Sequence, residues 1–317
     1  MTTPSIYPRP LYFSALELSE QHPDLLVAGQ ENAIVTIHKV TGAIEILAGE
    51  PYLQGYVEGV GRAARFNYIS GIAQLKYKYI LSDVENHCLR SMDYLSNETQ
   101  TFAGLCGSPG RADGSLLLAG FDFPQGMTRD LGSLDVIYLI DYRALRKIDL
   151  SAETVVTLSG SSNWLPFPSS LYRTGITMNA AGGLLITSWH GVIQYKFNET
   201  IQWVTGNTKT GAACAECDIS SASFSSPSDL RLITPEVLLV ADTGNHKLRL
   251  VNLTSGIVTA IGAGQGYQNG PYQDSKLDSP MSMAVDSSFI YIGEFNNAMH
   301  SVRKLAYTGR CHFLSFQ

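Results

Sequence analysis

A pattern that recurs about every 50 residues constrains the fold of this 317-residue chain more than any other feature. Its clearest copy, 224–262, reads FSSPSDLRLITPEVLLVADTGNHKLRLVNLTSGIVTAIG, in which four short apolar runs are separated by turn-forming residues. Each copy therefore predicts four β-strands joined by tight turns. Periods of this size are typical of propellers and solenoids, whose neighbouring units complete one another's cores.

Six copies cover nearly the whole chain. The second copy keeps the spacing from Asp83 to Arg90 that the clearest copy has from Asp242 to Arg249. The third copy retains Asp141 but has a shorter turn after it. We therefore expect one domain, 1–317, whose repeats lie at about 10–49, 66–104, 121–160, 166–206, 224–262 and 277–317.

The motif Asp-x-x-Asn-His-x-Leu-Arg occurs at 83–90 and at 242–249, and each time a hydrophobic hairpin follows. This combination resembles the NHL-repeat family. The resemblance implies an all-β fold, a six-bladed β-propeller of four-stranded antiparallel blades around a central channel. To close the ring, we favour an outer strand supplied by the last copy, 311–316, over one borrowed from 5–7.

Charge and apolar patterning exclude several kinds of partner. The net charge is −6 and the Lys and Arg residues are scattered singly, so we expect no nucleic-acid partner. No apolar run approaches the roughly 20 residues that cross a bilayer, so we expect no direct membrane insertion. We expect an extracellular or secreted protein, as a mature domain or fragment without its signal peptide, with a cytoplasmic protein as the alternative.

The repeated acids and histidines are interpreted as scaffold. Asp83, Asp141 and Asp242 each follow the second strand of a copy, where the side chain can accept backbone N–H bonds, and they are predicted structural turn residues. His87 and His246 occupy the histidine position of the motif. Because the repeat itself explains these residues, we expect no catalytic residue, no metal site and no cofactor. The alternatives are carboxylates that bind Ca²⁺ and histidines that bind zinc.

Four of the five cysteines are predicted to form disulfides. Cys88 and Cys106 lie equally far from the centre of a predicted hairpin, so they should face each other. Cys214 and Cys217 form a lone C-x-x-C, which favours a small-loop disulfide over a zinc site. A thioredoxin-like redox role is disfavoured, because no helix start is predicted there. Cys311 is either free or paired outside this chain.

The two faces of the predicted propeller differ in their surface residues. Predicted glycosylation sites at Asn97, Asn198 and Asn252 fall in turns between third and fourth strands, and therefore on one face. The other face carries long loops with the aromatic and arginine side chains that are enriched at binding hot spots. Its candidate binding residues are Tyr142, Arg143, Trp164, Trp189, His190, Tyr267, Tyr272 and Phe295, with Tyr52 and Tyr56 in the same loops.

These features favour binding over catalysis. We expect an extracellular propeller module that binds a protein or glycan, within a larger assembly or multidomain protein, and that is not an enzyme. The alternatives are a metal-dependent propeller enzyme of the lyase or lactonase type and an intracellular NHL scaffold. The first alternative requires a bound metal with convergent channel residues, and the second requires reduced cysteines.

Overall fold

Four consecutive strands in each repeat pair in antiparallel order and form one blade, which confirms the predicted six-bladed β-propeller. The computed structural model describes residues 12–159, 174–206, 214–295, 302–308 and 312–316. In each blade the first strand lies innermost, beside the central channel, and the following strands succeed one another outwards. The second strands are almost completely buried, because neighbouring blades cover both of their faces.

The first three blades contain fourteen strands and two short 3-10 helices, Gly61–Ala63 and Val84–Asn86. Blade one consists of β1 (Phe13–Leu18), β2 (Leu25–Gln30), β3 (Ala33–His38) and β4 (Ile44–Gly49). Blade two consists of β5 (Gly59–Val60), β6 (Ile69–Gln74), β7 (Lys78–Asp83), β8 (Cys88–Asp93) and β9 (Glu98–Ala103). Blade three consists of β10 (Gly114–Ser115), β11 (Pro124–Arg129), β12 (Val136–Asp141), β13 (Ala144–Asp149) and β14 (Thr154–Ser159).

The last three blades follow the same plan, with one 3-10 helix, Thr243–Asn245. Blade four consists of β15 (Ile176–Met178), β16 (Leu184–Ser188), β17 (Gly191–Lys196) and β18 (Thr200–Gly206). Blade five consists of β19 (Glu216–Asp218), β20 (Asp229–Thr234), β21 (Val237–Asp242), β22 (Lys247–Asn252) and β23 (Ile257–Ile261), and β24 (Gly264–Gln265) follows it. Blade six consists of β25 (Gly270–Pro271), β27 (Pro280–Val285), β28 (Phe289–Glu294), β29 (Val302–Thr308) and β30 (His312–Phe316), while β26 (Lys276–Leu277) pairs with β24.

Four blades contain a fifth strand that the sequence did not predict. In blades two, three, five and six, the loop that leads into the blade runs along its outer edge and adds a strand of two or three residues. Glu58, just before β5, accepts a hydrogen bond from the backbone N–H of Thr101 at 2.8 Å. Asp113, just before β10, does the same for Thr157 at 3.0 Å. The four predicted strands are present in these blades, and the fifth was not predicted because such short runs carry no periodicity.

The core consists of six apolar clusters, and each lies between two adjacent blades. At the closure of the ring, Phe13 and Leu26 of blade one pack in one cluster with Tyr291 of blade six. The Ser282 hydroxyl of blade six donates to the Phe13 carbonyl at 2.7 Å. Because β30 pairs with β29, the last blade supplies its own outer strand, which confirms the favoured closure.

A buried acid–arginine pair, here called a clasp, recurs in four blades. The acid ends the second strand of the blade and the arginine lies on the third. Both side chains are at most 1% exposed in every pair. The clasps are Asp83–Arg90 at 3.2 Å, Asp141–Arg146 at 2.8 Å, Asp242–Arg249 at 3.2 Å and Glu294–Arg303 at 3.4 Å. Three of the acids are the predicted turn residues.

Each clasp fastens the loop that leads into its own blade. In blade three, Asp141 accepts the backbone N–H of Asp122 at 2.7 Å, and Arg146 donates to the carbonyl of Gly120 at 2.9 Å. The guanidinium group also lies over the Phe121 ring, 5.3 Å from its centroid. Burial raises the pKa of the Asp141 carboxyl to about 7, and the charge of Arg146 opposes this shift. The clasp thus holds loop and blade together in the interior.

A clasp should contribute more to the free energy of unfolding than an exposed ion pair in the same strand does. Arg146→Met is expected to lower the free energy of unfolding by about 3–5 kcal/mol, since Asp141 would stay buried without its counter-charge. The matched control is Lys147→Met, whose partner Asp149 lies 3.0 Å away at a solvent-accessible position, and it should cost less than about 1 kcal/mol. Urea unfolding followed by circular dichroism measures both losses. Equal losses would contradict this role of the clasp.

Candidate functional site

The inner strands of all six blades line a central channel that is almost filled by protein. The cavity inside it has a volume of about 30 Å³, which leaves room for a few water molecules at most. The polar side chains that line it are Ser14, Glu17, Ser70, Thr174, Ser228, Asp229, Arg231 and Ser282. At the level of this cavity the channel accommodates water rather than an organic ligand.

An ion-pair network inside the channel escaped sequence analysis. Arg231 of blade five contacts Glu17 of blade one at 2.8 Å and Asp229 at 3.0 Å. Its Nε donates to the carbonyl of Met283 in blade six at 2.9 Å. The side chain of Glu17 is 30% exposed, and it faces the narrow channel. Burial raises the pKa of its carboxyl to about 7, and the charge of Arg231 opposes this shift. The network therefore ties three inner strands together.

A second ion pair crosses the channel between blades that are not neighbours. Arg129, the last residue of β11 in blade three, lies 2.6 Å from the carboxylate of Glu20, which follows β1 in blade one. The backbone N–H of Glu20 donates to the side-chain carbonyl of Gln74 at 2.9 Å. These contacts lie where the first strands end, so they narrow the mouth on the face that carries the turns between first and second strands. We call this face the hairpin face.

Aromatic side chains surround the opposite mouth of the channel. This face, here called the loop face, carries the turns between second and third strands and the starts of the first strands. Some of the aromatic residues precede a first strand and the others follow a second strand. The aromatic rim consists of Tyr12, Tyr68, Phe123, Tyr142, Trp189 and Phe295.

Contacts between rings organise much of the rim. Tyr12 lies 5.2 Å from Phe295 and 6.1 Å from Tyr68, measured between ring centroids. Phe123 lies 6.5 Å from Tyr142. The rings of Tyr12, Phe295 and Tyr68 therefore link blades six, one and two, whereas Phe123 and Tyr142 both belong to blade three. All of these contacts are edge-on or tilted, as aromatic pairs prefer.

Parts of the rim are open to solvent. Trp189 is 42% exposed and Phe295 is 37% exposed. Trp189 stacks on the neighbouring ring of His190 at 5.6 Å. Arg111 pairs with Asp122 at 2.7 Å and lies 4.9 Å from the Tyr142 centroid. The rim therefore combines broad apolar ring surface with a charged group at its edge.

Four predicted binding residues lie at the rim or directly beside it. Tyr142, Trp189 and Phe295 belong to the rim, and His190 stacks on Trp189. Arg143 follows Tyr142 in the same turn and is half-buried. Trp164 lies outside the described residues.

The tyrosines of the loops between blades serve other contacts. Tyr56 and Tyr267 lie over clasp arginines, each 5.1 Å from the guanidinium carbon, and Tyr272 packs against the core between blades five and six. Tyr52 is exposed. The structure therefore does not bring the tyrosines of these loops to the rim.

Three rim residues were missed because the predicted set was taken from turns and loops. Tyr12, Tyr68 and Phe123 each directly precede a first strand. The sequence does contain a signal for two of them, since Phe66-x-Tyr68 and Phe121-x-Phe123 begin equivalent copies. The first aromatic residue of each pair packs in the core, and the second reaches the rim.

The repeated histidines connect one blade to the next. His87 Nδ1 accepts the backbone N–H of Phe123 at 3.3 Å, and His246 Nδ1 accepts that of Ser279 at 3.1 Å. Both histidines have a left-handed backbone, with φ of 55° and 54°. Across the part of the chain that the structure describes, no group of three or more His, Cys, Asp or Glu side chains could hold a metal ion.

The sequons lie on the hairpin face, away from the aromatic rim. Asn97 and Asn198 occupy the turns after β8 and β17, and Asn252 is the last residue of β22. Asn198 is exposed, whereas Asn97 and Asn252 are half-buried. Glycans at these positions would leave the rim uncovered.

The described residues contain two disulfides, Cys88–Cys106 and Cys214–Cys217, as predicted. The reason given for the first pair was wrong, because its cysteines are not cross-strand neighbours. Strand β8 pairs Leu89 with Ala103, so Cys106 lies beyond the end of β9. The chain turns back there, and the two Cα atoms of the disulfide are 4.9 Å apart. Cys311 lies outside the described residues.

Comparison with known proteins agrees with the motif at 83–90 and 242–249. No protein-family model matches the chain. NHL repeat-containing protein 2 of Gallus gallus is 33% identical over 72 residues, which span 22% of this chain and 10% of that protein. The chain is a six-bladed β-propeller, and part of it is similar to an NHL repeat-containing protein. Since the match covers about a tenth of that relative, the activity of the whole relative is not transferred to this propeller.

Solved structures share the fold of this propeller at low sequence identity. An auxiliary nutrient binding protein from Bacteroides thetaiotaomicron has a TM-score of 0.68 at 11% identity, covering 96% of this chain and 69% of its own. A chain of a nidogen/laminin complex has a TM-score of 0.58 at 12% identity, covering 92% of both chains. A streptogramin B lyase has a TM-score of 0.57 at 12% identity, covering 99% and 84%. These likenesses show the fold alone.

The described residues contain no helix that is long and apolar enough to span a bilayer.

Glu17 predicts a pH dependence of stability. Its folded pKa of about 7 lies above its ordinary value of 4.5, so the stability contributed by its protonated form is complete below pH 4.5 and is lost as the pH rises through 7. The free energy of unfolding of the wild type, measured relative to that of Glu17→Gln, should therefore fall by about 2 kcal/mol between about pH 5.5 and about pH 8. Urea unfolding at both pH values measures this difference.

The control for this experiment is Glu20→Gln. Its carboxylate pairs with Arg129 at a position that is 44% exposed, so solvent screens the pair and the substitution should cost less than about 1 kcal/mol. A pH-independent difference between the wild type and Glu17→Gln would contradict the role of burial at Glu17.

Proposed function

We propose that this propeller is an extracellular binding module, within a larger assembly or multidomain protein, whose aromatic rim binds a protein or glycan. The observation that carries the proposal is the exposed aromatic surface around a channel whose interior accommodates water. Trp and Tyr are enriched among the residues that dominate binding energy, and their rings lose little conformational freedom on binding. The partner therefore binds across the mouth of the channel rather than inside it.

Binding proteins among the similar folds support this role. The structural neighbours include an auxiliary nutrient binding protein and a chain of a nidogen/laminin complex. Because proteins with this fold include binding proteins, the fold is compatible with a binding role for this chain. The streptogramin B lyase shares the fold as well, so the rim is the feature that favours binding.

The extracellular location is supported by the disulfides and by the arrangement of the two faces. Disulfides persist in oxidising compartments, and this chain contains two in its described residues. The three sequons lie together on the hairpin face, where sugars do not obstruct the rim. One face is thus suited to glycans and the other to a partner.

Substitutions at the rim should weaken binding. Once a partner has been identified on arrays of extracellular proteins and glycans, the double variant Trp189→Ala and Tyr142→Ala is expected to raise its Kd at least about tenfold, because these rings supply contact area at the mouth. The control is Leu95→Ala, at a 93% exposed position on the hairpin face, which should leave the Kd unchanged. Calorimetric titration measures both, and a greater loss in the control would refute the assignment of the rim.

Glycopeptide mass spectrometry of protein from its natural source tests the location. We expect sugar on at least one sequon and foremost on Asn198, whose side chain is the most exposed of the three. Replacement of Asn198 by Gln should remove the corresponding mass without changing binding at the rim. Three unmodified sequons would support the cytoplasmic alternative.

A further inference from the structure

The disulfide Cys214–Cys217 lies against the clasp arginine of blade five. Nη2 of Arg249 is 3.0 Å from the Cys214 sulfur and 3.8 Å from the Cys217 sulfur. In the other three clasps the same nitrogen donates to a backbone carbonyl. These bonds join Arg90 to Val57 at 3.2 Å, Arg146 to Ala112 at 3.1 Å and Arg303 to Gln268 at 2.8 Å. In blade five, a redox-active pair of sulfurs therefore replaces a chemically inert acceptor.

The arginine is held in place independently of the disulfide. Its Nη1 contacts Asp242 at 3.2 Å and the carbonyl of Ser223 at 3.1 Å. The guanidinium group also lies over the ring of Phe224, 5.0 Å from its centroid. None of these contacts involves a sulfur atom, so Arg249 keeps its position when the disulfide opens.

The backbone that carries the cysteines is anchored as well. Cys217 lies in the middle of β19, which pairs with β23, where Cys217 is opposite Val258. Next to Cys214, the carbonyl of Ala215 accepts the backbone N–H of Ala260 at 2.8 Å. Opening the disulfide therefore leaves the Cys214 sulfur close to the guanidinium group.

The charge of Arg249 acts differently on the two redox states. The sulfurs of a disulfide are neutral and accept hydrogen bonds weakly, whereas a thiolate carries a full negative charge. An adjacent arginine therefore stabilises the thiolate and lowers the pKa of the cysteine. A thiol with a low pKa is also the better leaving group in thiol–disulfide exchange. A helix N-terminus can also supply such a positive potential, but the sequence predicts no helix start at these cysteines. In this site the positive charge comes from Arg249 instead.

The other disulfide lacks these features. Cys88 is completely buried and Cys106 is half-buried, whereas Cys214 and Cys217 are both half-buried. The sulfur of Cys106 lies 3.7 Å from the hydroxyl of Thr101, which is a neutral group. Cys88–Cys106 is therefore the internal reference against which the reactivity of the other pair can be measured.

We propose that Cys214–Cys217 is a thiol–disulfide exchange site that takes electrons from dithiols. A thiolate of the dithiol attacks the Cys217 sulfur and forms a mixed disulfide, while the Cys214–Cys217 bond breaks and its electron pair goes to Cys214, next to Arg249. The second thiolate of the dithiol then attacks the mixed disulfide and releases Cys217, which takes up a proton. The dithiol leaves as a disulfide, having supplied both electrons.

Selective reduction tests the exchange site on the intact protein. In a titration with dithiothreitol, followed by alkylation and peptide mass spectrometry, Cys214–Cys217 should be reduced with an equilibrium constant at least about tenfold larger than that of Cys88–Cys106, or about 30 mV. Circular dichroism should show that the propeller stays folded. Reduction of both pairs together, or of Cys88–Cys106 first, would overturn the proposal.

The pH profile of alkylation tests the role of Arg249. In the selectively reduced protein, the rate of iodoacetamide modification at Cys214 should reach half its maximum below the ordinary thiol pKa of about 8.5. Arg249→Gln should move this midpoint upwards, whereas Arg146→Gln, the same change in the clasp of blade three, should not. A wild-type midpoint at or above about 8.5 refutes the proposal, even if Arg249→Gln fails to fold.

Discussion

The buried acid–arginine clasp is the interaction on which most of the propeller depends. Four blades contain it, and in each the charged pair ties the end of the second strand to the loop that leads into the blade. A phenylalanine that begins the repeat covers the guanidinium group in three of them, as Phe66, Phe121 and Phe224 do. Removing either charge would leave the other one buried and unpaired, so acid, arginine and loop are coupled.

Two blades contain no clasp among their described residues. Blades one and four end their second strands in Gln30 and Ser188, and they lie opposite each other in the ring. The ring is therefore not uniform, and in blade five the clasp acquires a further chemical partner in the Cys214–Cys217 disulfide.

The two mouths of the channel differ in the side chains that surround them. Ion pairs of Arg231 and Arg129 connect inner strands towards the hairpin face, whereas aromatic rings surround the mouth on the loop face. The opposite charges of these ion pairs stabilise the ring by pairing with each other, which leaves little charge for a partner to bind. Exposed rings retain apolar surface that a partner can cover, which is why we assign binding to the rim.

The sequence by itself determined the repeat, the number of blades, the turn acids and the Cys214–Cys217 pair, because each of these follows from local spacing. The Cys88–Cys106 pair was also predicted, but the turn of the chain beyond β9 is what brings its cysteines together. The tertiary structure alone decided which residues of different repeats contact one another. Glu17 and Arg231 are more than 200 residues apart and meet only because the ring closes. Tyr12 and Phe295 meet for the same reason. Arg249 approaches the C-x-x-C through a loop, and contacts of this kind leave no periodic trace in a sequence.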